Sequence, residues 1–183
     1  MVECLLLGRN GIGVDISPRA VSISRMRIQN LRTEARRQGY ELPDVDIQVR
    51  WGDARDLRFI RDGKVDLVCT HPPYLDVIRY TRTRHEDLSH HGDAVSYLSE
   101  IETLANECRR ILRRRGRCCL MIGDVIKKGR LVPLGLRIAS IFEARGFTVQ
   151  EIAIKEQENT SQEEFYAGPL RRKHEYIFVF ARN

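Results

Sequence analysis

Short runs rich in β-branched and aliphatic residues alternate along this chain with longer stretches of helical periodicity, and that alternation restricts the fold more than any other feature. The run "GIGVDIS" (11–17) reads as a strand, and Ser17-Pro18 after it reads as a helix start, with Ser17 as cap and Pro18 in the first turn. The helix that follows carries Val21, Ile28 and Leu31 near helical spacing until Gly39 stops it. "DIQVRWGDA" (46–54) and "KVDLVCT" (64–70) read as strands, the second apolar enough to be central in a sheet. Residues 95–113 form a second long helix with Leu98, Ile101, Leu104, Ala105, Cys108 and Leu112 on one side, ended by Gly116. "RCCLMIGDV" (117–125) is a buried strand, "PLGLRIASIFEARG" a helix with Pro133 at its start, and "FTVQEIAIKE" and "HEYIFVFAR" a closing pair of strands. This order predicts an α/β fold: a mostly parallel sheet with helices on both faces, and a ligand beyond the carboxyl ends of the strands.

At 183 residues and 42% hydrophobic content the chain fits a single domain, 1–183, able to bury a core. No apolar run reaches the roughly 18 to 20 residues of a membrane span, and "MVECLLLGRNG" lacks the basic start of a signal peptide, so a cytoplasmic protein is expected. A net charge of +6 favours an anionic partner such as nucleic acid. The five cysteines, Cys4, Cys69, Cys108, Cys118 and Cys119, are odd in number and have no CxxC spacing, which predicts reduced, buried thiols. His85, His90 and His91 sit in a polar loop without a zinc-ligand spacing, so no metal is expected.

Three strand ends carry notable residues: Asp15, Asp53, and Thr70 followed by His71-Pro72-Pro73-Tyr74. An acid in such a place often caps the next helix. A di-proline turn with Tyr74 packed in the core is likewise the plain structural alternative. The chemical alternative starts from two prolines that fix φ and hold neighbouring acceptors rigid, with an aromatic face beside them.

Taken together, "CLLLGRNGIGVDISP", "WGDARDL", "THPPYLD", "ECRRILRRRGR", "MIGDV" and "GPLRRKHEYIFVF" resemble the S-adenosylmethionine-dependent amino-group DNA methyltransferases. The resemblance covers most of the chain and implies a Rossmann-like class I methyltransferase fold whose cofactor is S-adenosylmethionine. It further implies that Asp15 and Asp53 bind that cofactor, with Ile16, Ala54 and Thr70 beside them, and that His71, Pro72, Pro73 and Tyr74 hold the target base. Cytosine N4 is the favoured target and adenine N6 the second. The polar loop with Arg79, Tyr80, Arg82 and Arg84, and the cluster Arg171, Arg172 and Lys173, are expected to touch DNA.

Two departures qualify the resemblance. His71 stands where the family has Asp, Asn or Ser, and an imidazole accepts a hydrogen bond only when neutral. The glycine-rich turn and first strand that precede "VECLLLGR" in the family have no counterpart, which predicts an N-terminally incomplete domain, its strand supplied by a separate chain or its open edges covered in a homodimer. Insertions able to read a target sequence are confined to 75–94 and 156–174. An RNA amino-methyltransferase and a non-catalytic nucleic-acid-binding subunit of a split enzyme are the competing functions.

Overall fold

The β-branched run at 11–17 forms β1 (Gly11–Asp15), which pairs in parallel with β2 (Ile47–Trp51) so that Asp15 lies opposite Trp51. These strands belong to the first of two compact units, residues 1–57 and 58–183, in a computed structural model that describes residues 1–81, 86–156 and 174–183. Between the two strands runs α2 (Pro18–Arg37), started as the sequence predicts: Pro18 occupies its first turn, and the Ser17 hydroxyl accepts from the Ala20 N–H at 3.3 Å. Gly39, at φ +75°, takes the left-handed conformation just past the end of the helix. A short helix α1 (Val2–Leu6) completes the unit, and Leu5, Val21, Ile28 and Val49 form its small core.

The second unit contains β3 (Val65–Thr70), α3 (Ala94–Ile111), β4 (Leu112–Ile122), β5 (Val125–Lys127), β6 (Arg130–Val132), α4 (Leu134–Ala144), β7 (Phe147–Glu156) and β8 (His174–Arg182). Its main sheet has the order β3-β4-β8-β7. β4 is parallel to β3 and antiparallel to β8, and β8 is antiparallel to β7. Period-two patterning decides which side is buried: Cys118, Leu120 and Ile122 on β4 and Phe178 and Phe180 on β8 join Ile101, Leu104, Ile138 and Phe142 of α3 and α4 in one apolar core. Phe142 stacks on Phe180 with centroids 4.7 Å apart and planes 17° from parallel.

The α/β class with a C-terminal antiparallel strand is as expected, and several details differ. Both helices of the second unit pack on one face of its sheet, while Cys119, Met121, Ile177 and Val179 on the other face are half-buried. The long helix stops at Ile111 rather than at 113, because Leu112 already pairs with Val65; Gly116, expected as its stop signal, lies inside β4, at a register shift where Arg115 has φ +60°. β3 is an edge of its sheet instead of a central strand. Cys69, on that edge strand, is exposed, whereas Cys108 and Cys118 are buried. The small hairpin β5–β6 went unforeseen, although its turn residues Lys128 and Gly129, both at positive φ, are the pattern of a two-residue hairpin. No helix of the described residues is long and apolar enough to cross a membrane.

Because Phe142 is fully buried against two aromatic neighbours, Phe142→Ala is expected to cost about 3–5 kcal/mol in urea unfolding. The exposed Leu136 on the same helix is expected to tolerate alanine within about 0.5 kcal/mol.

Candidate functional site

Beyond Thr70 the chain leaves β3 and turns through His71-Pro72-Pro73-Tyr74-Leu75. Each proline fixes its own φ and pushes the residue before it towards an extended conformation, so His71 and Pro72 have little freedom. Leu75 then adopts a left-handed φ of +54° with its side chain fully buried in the core, a conformation that a branched residue holds only when its surroundings impose it. The Tyr97 hydroxyl on α3 donates to the Pro73 carbonyl at 2.7 Å, pinning the corner from inside. Among the described residues nothing donates to the Pro72 carbonyl.

Tyr74 is the hub of the site. Its hydroxyl donates to Glu175 Oε1 on β8, and His71 Nε2 lies 2.7 Å from the Tyr74 hydroxyl oxygen. The other Glu175 oxygen accepts from Lys155 Nζ at 2.8 Å, and these two residues face each other across β7 and β8. Glu175 is 5% exposed, so its charge is answered by ion pairing and hydrogen bonding rather than by bulk water. A Cβ at Gly123 would lie 3.1 Å from Tyr74 Cε2, which makes room for the ring a requirement at that position. Burial, reinforced by Glu175, raises the Tyr74 phenol far above its ordinary range and keeps it protonated. Burial also lowers the His71 pKa; the Glu175 charge opposes that shift and Lys155 adds to it.

In the first unit Asp15 and Asp53 come together at one end of the β1–β2 pair, where the Gly52 N–H donates to the Asp15 carbonyl at 3.1 Å. Asp15 is exposed, and its Oδ1 accepts from Ser17 N–H at 2.8 Å in a local turn ahead of α2. Asp53 accepts from the Arg55 backbone N–H at 2.8 Å and from its guanidinium at 2.5 to 3.0 Å. Trp51, an exposed indole, donates from Nε1 to the Ile16 carbonyl at 3.0 Å, and Ala54 is exposed beside it in sequence.

The loop after the corner is built on buried polar groups. Asp87 accepts from Ser89 N–H at 2.9 Å and from the Thr81 hydroxyl at 2.8 Å, and Ser89 Oγ in turn accepts from Tyr80 N–H at 3.1 Å. Arg79 and Tyr80 are exposed on this loop, while Arg82, Arg84, Arg171, Arg172 and Lys173 lie outside the described residues, as does His85. His90 Nε2 donates to the Thr81 carbonyl at 2.7 Å. Two further basic residues are ion-paired, Arg113 with Asp66 at 2.5 Å and Lys127 with Asp76. Asp124 accepts from Gly135 N–H at 3.0 Å and so caps α4.

The structure therefore gathers Asp15, Ile16, Asp53 and Ala54 in the first unit, and Thr70, His71, Pro72, Pro73 and Tyr74 in the second. Sequence reasoning missed Glu175, Lys155, Tyr97 and Trp51. The acid preceding the otherwise apolar "YIFVF" was a usable signal for Glu175, since an ionised group entering a buried strand needs a partner.

A family model described as DNA methylase matches residues 65–183. No curated protein matches the sequence. Among solved structures, a protein from Thermus thermophilus described as a DNA modification methylase is 28% identical, with a TM-score of 0.54 over 72% of this chain and 50% of its own. The same protein is known in complex with S-adenosyl-L-methionine, with a TM-score of 0.52 at 27% identity, covering 72% of this chain and 51% of its own. A SAM-dependent methyltransferase from Methanosarcina mazei is 12% identical with a TM-score of 0.61 over 99% of this chain and 85% of its own. The PvuII cytosine-N4-specific DNA methyltransferase is 17% identical with a TM-score of 0.54 over 72% of this chain and 48% of its own. These last two are likenesses of fold. The present chain spans about half the length of the Thermus protein.

Tyr97→Phe deletes the donor to the Pro73 carbonyl and nothing else; it is expected to lower stability by about 1–2 kcal/mol in urea unfolding, with an unchanged far-ultraviolet spectrum.

Proposed function

The chain belongs to the DNA methylase family of the N6/N4 type, and on that premise we propose that it transfers a methyl group from S-adenosylmethionine to an exocyclic amine of a DNA base, cytosine N4 foremost and adenine N6 second. Residues 1–183 are taken as one catalytic domain. The observation that carries the reading is the corner at 71–74: two consecutive prolines, an imidazole and an aromatic ring held by hydrogen bonds to α3 and β8.

Two acceptors are available for the two hydrogens of such an amine, a ring nitrogen of His71 and the Pro72 carbonyl. Holding both hydrogens draws the nitrogen lone pair out of conjugation, and because the prolines already fix the acceptors, little reorganisation is left for the moment of reaction. Tyr74 supplies a stacking face for a base removed from the helix. His71, kept neutral at pH 7 by burial, is able to take the proton that the methylated nitrogen sheds.

Bound S-adenosylmethionine supplies a methyl group activated on a sulfonium sulfur. The residues at the end of β1 and β2 fit it unequally. Asp15 keeps Oδ2 without a partner among the described residues and is suited to accept from a ribose hydroxyl, with Ile16 adjacent. Asp53 is largely occupied by Arg55, so it and Ala54 contribute shape more than a vacant acceptor. Thr70 closes the strand that leads into the corner. Arg79 and Tyr80, with Arg82, Arg84, Arg171, Arg172 and Lys173, are proposed to contact DNA phosphates and bases.

The test is incubation of the full chain with labelled cofactor and either DNA or RNA. Label is expected in DNA; label in RNA alone would transfer the reading to an RNA amino-methyltransferase, and label in neither would overturn it. His71→Ala is expected to lower incorporation by about 10²- to 10³-fold. Asp15→Ala is expected to weaken cofactor binding about 10- to 100-fold by calorimetry, the loss of one hydrogen bond to a charged group. Because the required form of His71 is the neutral one and its pKa lies below the ordinary value of about 6.5, the rate is expected to be level above pH 7 and to fall on the acid side of that value.

A further inference from the structure

We propose that Glu175 and Lys155 are positioning residues that act through Tyr74 to set the tautomer of His71, leaving Nδ1 as the acceptor of the ring. The proposal rests on the base-holding role given to His71 above, and it adds two residues from the far end of the chain to that site.

The argument is one of counting protons. A phenol has a single hydrogen to give. The Glu175 carboxylate, buried and ion-paired with Lys155 at 2.8 Å, can only accept, so the Tyr74 hydrogen is committed to it. That leaves the Tyr74 oxygen facing His71 Nε2, at 2.7 Å, with lone pairs alone. Two acceptors do not sit at that separation without a hydrogen between them, so Nε2 carries it. A neutral imidazole has one N–H, and Nδ1 is therefore bare.

The reverse arrangement fails at each alternative. If Tyr74 donated to Nε2, its oxygen would face a carboxylate with no hydrogen between them. Protonating Glu175 to supply one would forfeit the Lys155 ion pair inside a buried site. Ionising Tyr74 would place a phenolate beside a carboxylate, against the direction in which burial and Glu175 move its pKa.

Among the described residues the charged groups facing the imidazole are Glu175, 4.0 Å from Nε2, and Lys155 behind it. Their charges oppose one another at His71, which lets the ring stay neutral at pH 7 even though a carboxylate is close by.

The test reads the tautomer directly in the full chain, with neither cofactor nor nucleic acid present. Histidine is labelled with ¹⁵N, and the His71 resonances are assigned by their loss in His71→Asn. The wild type is expected to show one tautomer, protonated at Nε2. In Glu175→Leu the phenol is released to donate to Nε2, and the Nδ1-protonated form is expected to rise to at least half of the neutral population. Tyr74→Phe supplies the same test without vacating the Glu175 pocket, and is expected to yield a mixture of both tautomers. Lys155→Met is expected to raise the titration midpoint of His71. An Nδ1-protonated wild type, or tautomer ratios unmoved in both Glu175→Leu and Tyr74→Phe, would overturn the relay. Failure of the methyl-transfer reading is distinguishable: a chain that labels no nucleic acid yet shows these tautomers sinks that reading and leaves the relay in place.

Discussion

The pairing of β4 on both its sides governs the rest of the second unit. Parallel to β3 and antiparallel to β8, it brings the carboxyl end of β3 level with the amino end of β8, so that a tyrosine four residues past one strand meets a glutamate near the start of the other. Cross-strand register then sets Lys155 opposite that glutamate. The site is thus a product of topology: residues 71–74 are adjacent in sequence, but what fixes their orientation arrives from α3, β7 and β8.

That origin explains what could be read from the sequence. The strands and helices were legible because each carries a local signal, the period-two run in β4 and the Ser17-Pro18 start of α2 being the plainest. The corner was legible for the same reason, since consecutive prolines announce a rigid turn wherever they stand. Glu175 and Lys155 were not, because their partners lie on other elements and no spacing within a segment encodes a contact made by sheet register. Gly116 was misread as the stop signal of α3; the helix already gives way after Ile111, two residues before the expected end at 113, because the backbone groups of Leu112 are claimed by β3. Asp15 illustrates a different limit. The structure shows its Oδ1 in a local turn ahead of α2, and this leaves the proposed cofactor role to Oδ2, so the one reading does not exclude the other.

A histidine is a demanding choice as an acceptor. A carboxylate or an amide oxygen accepts at any pH near neutrality, whereas an imidazole must be both unprotonated and correctly tautomerised. In the role proposed above for His71, partial burial favours the neutral ring, and the proposed relay from a buried carboxylate through a phenol meets the second requirement. Gly123 packs against the same phenol, and a Cβ there would require the ring to give by a few tenths of an ångström.

Among the described residues β3 pairs with β4 alone, and that has a kinetic meaning. A strand with a single hydrogen-bonded neighbour opens by losing one ladder, so amide hydrogens from Val65 to Thr70 should trade with deuterium sooner than those of β4, whose two ladders must part together. The corner at the tip of β3 would then breathe with its strand were it not moored to the slower elements behind it, and the buried leucine at position 75 is the mooring nearest to hand.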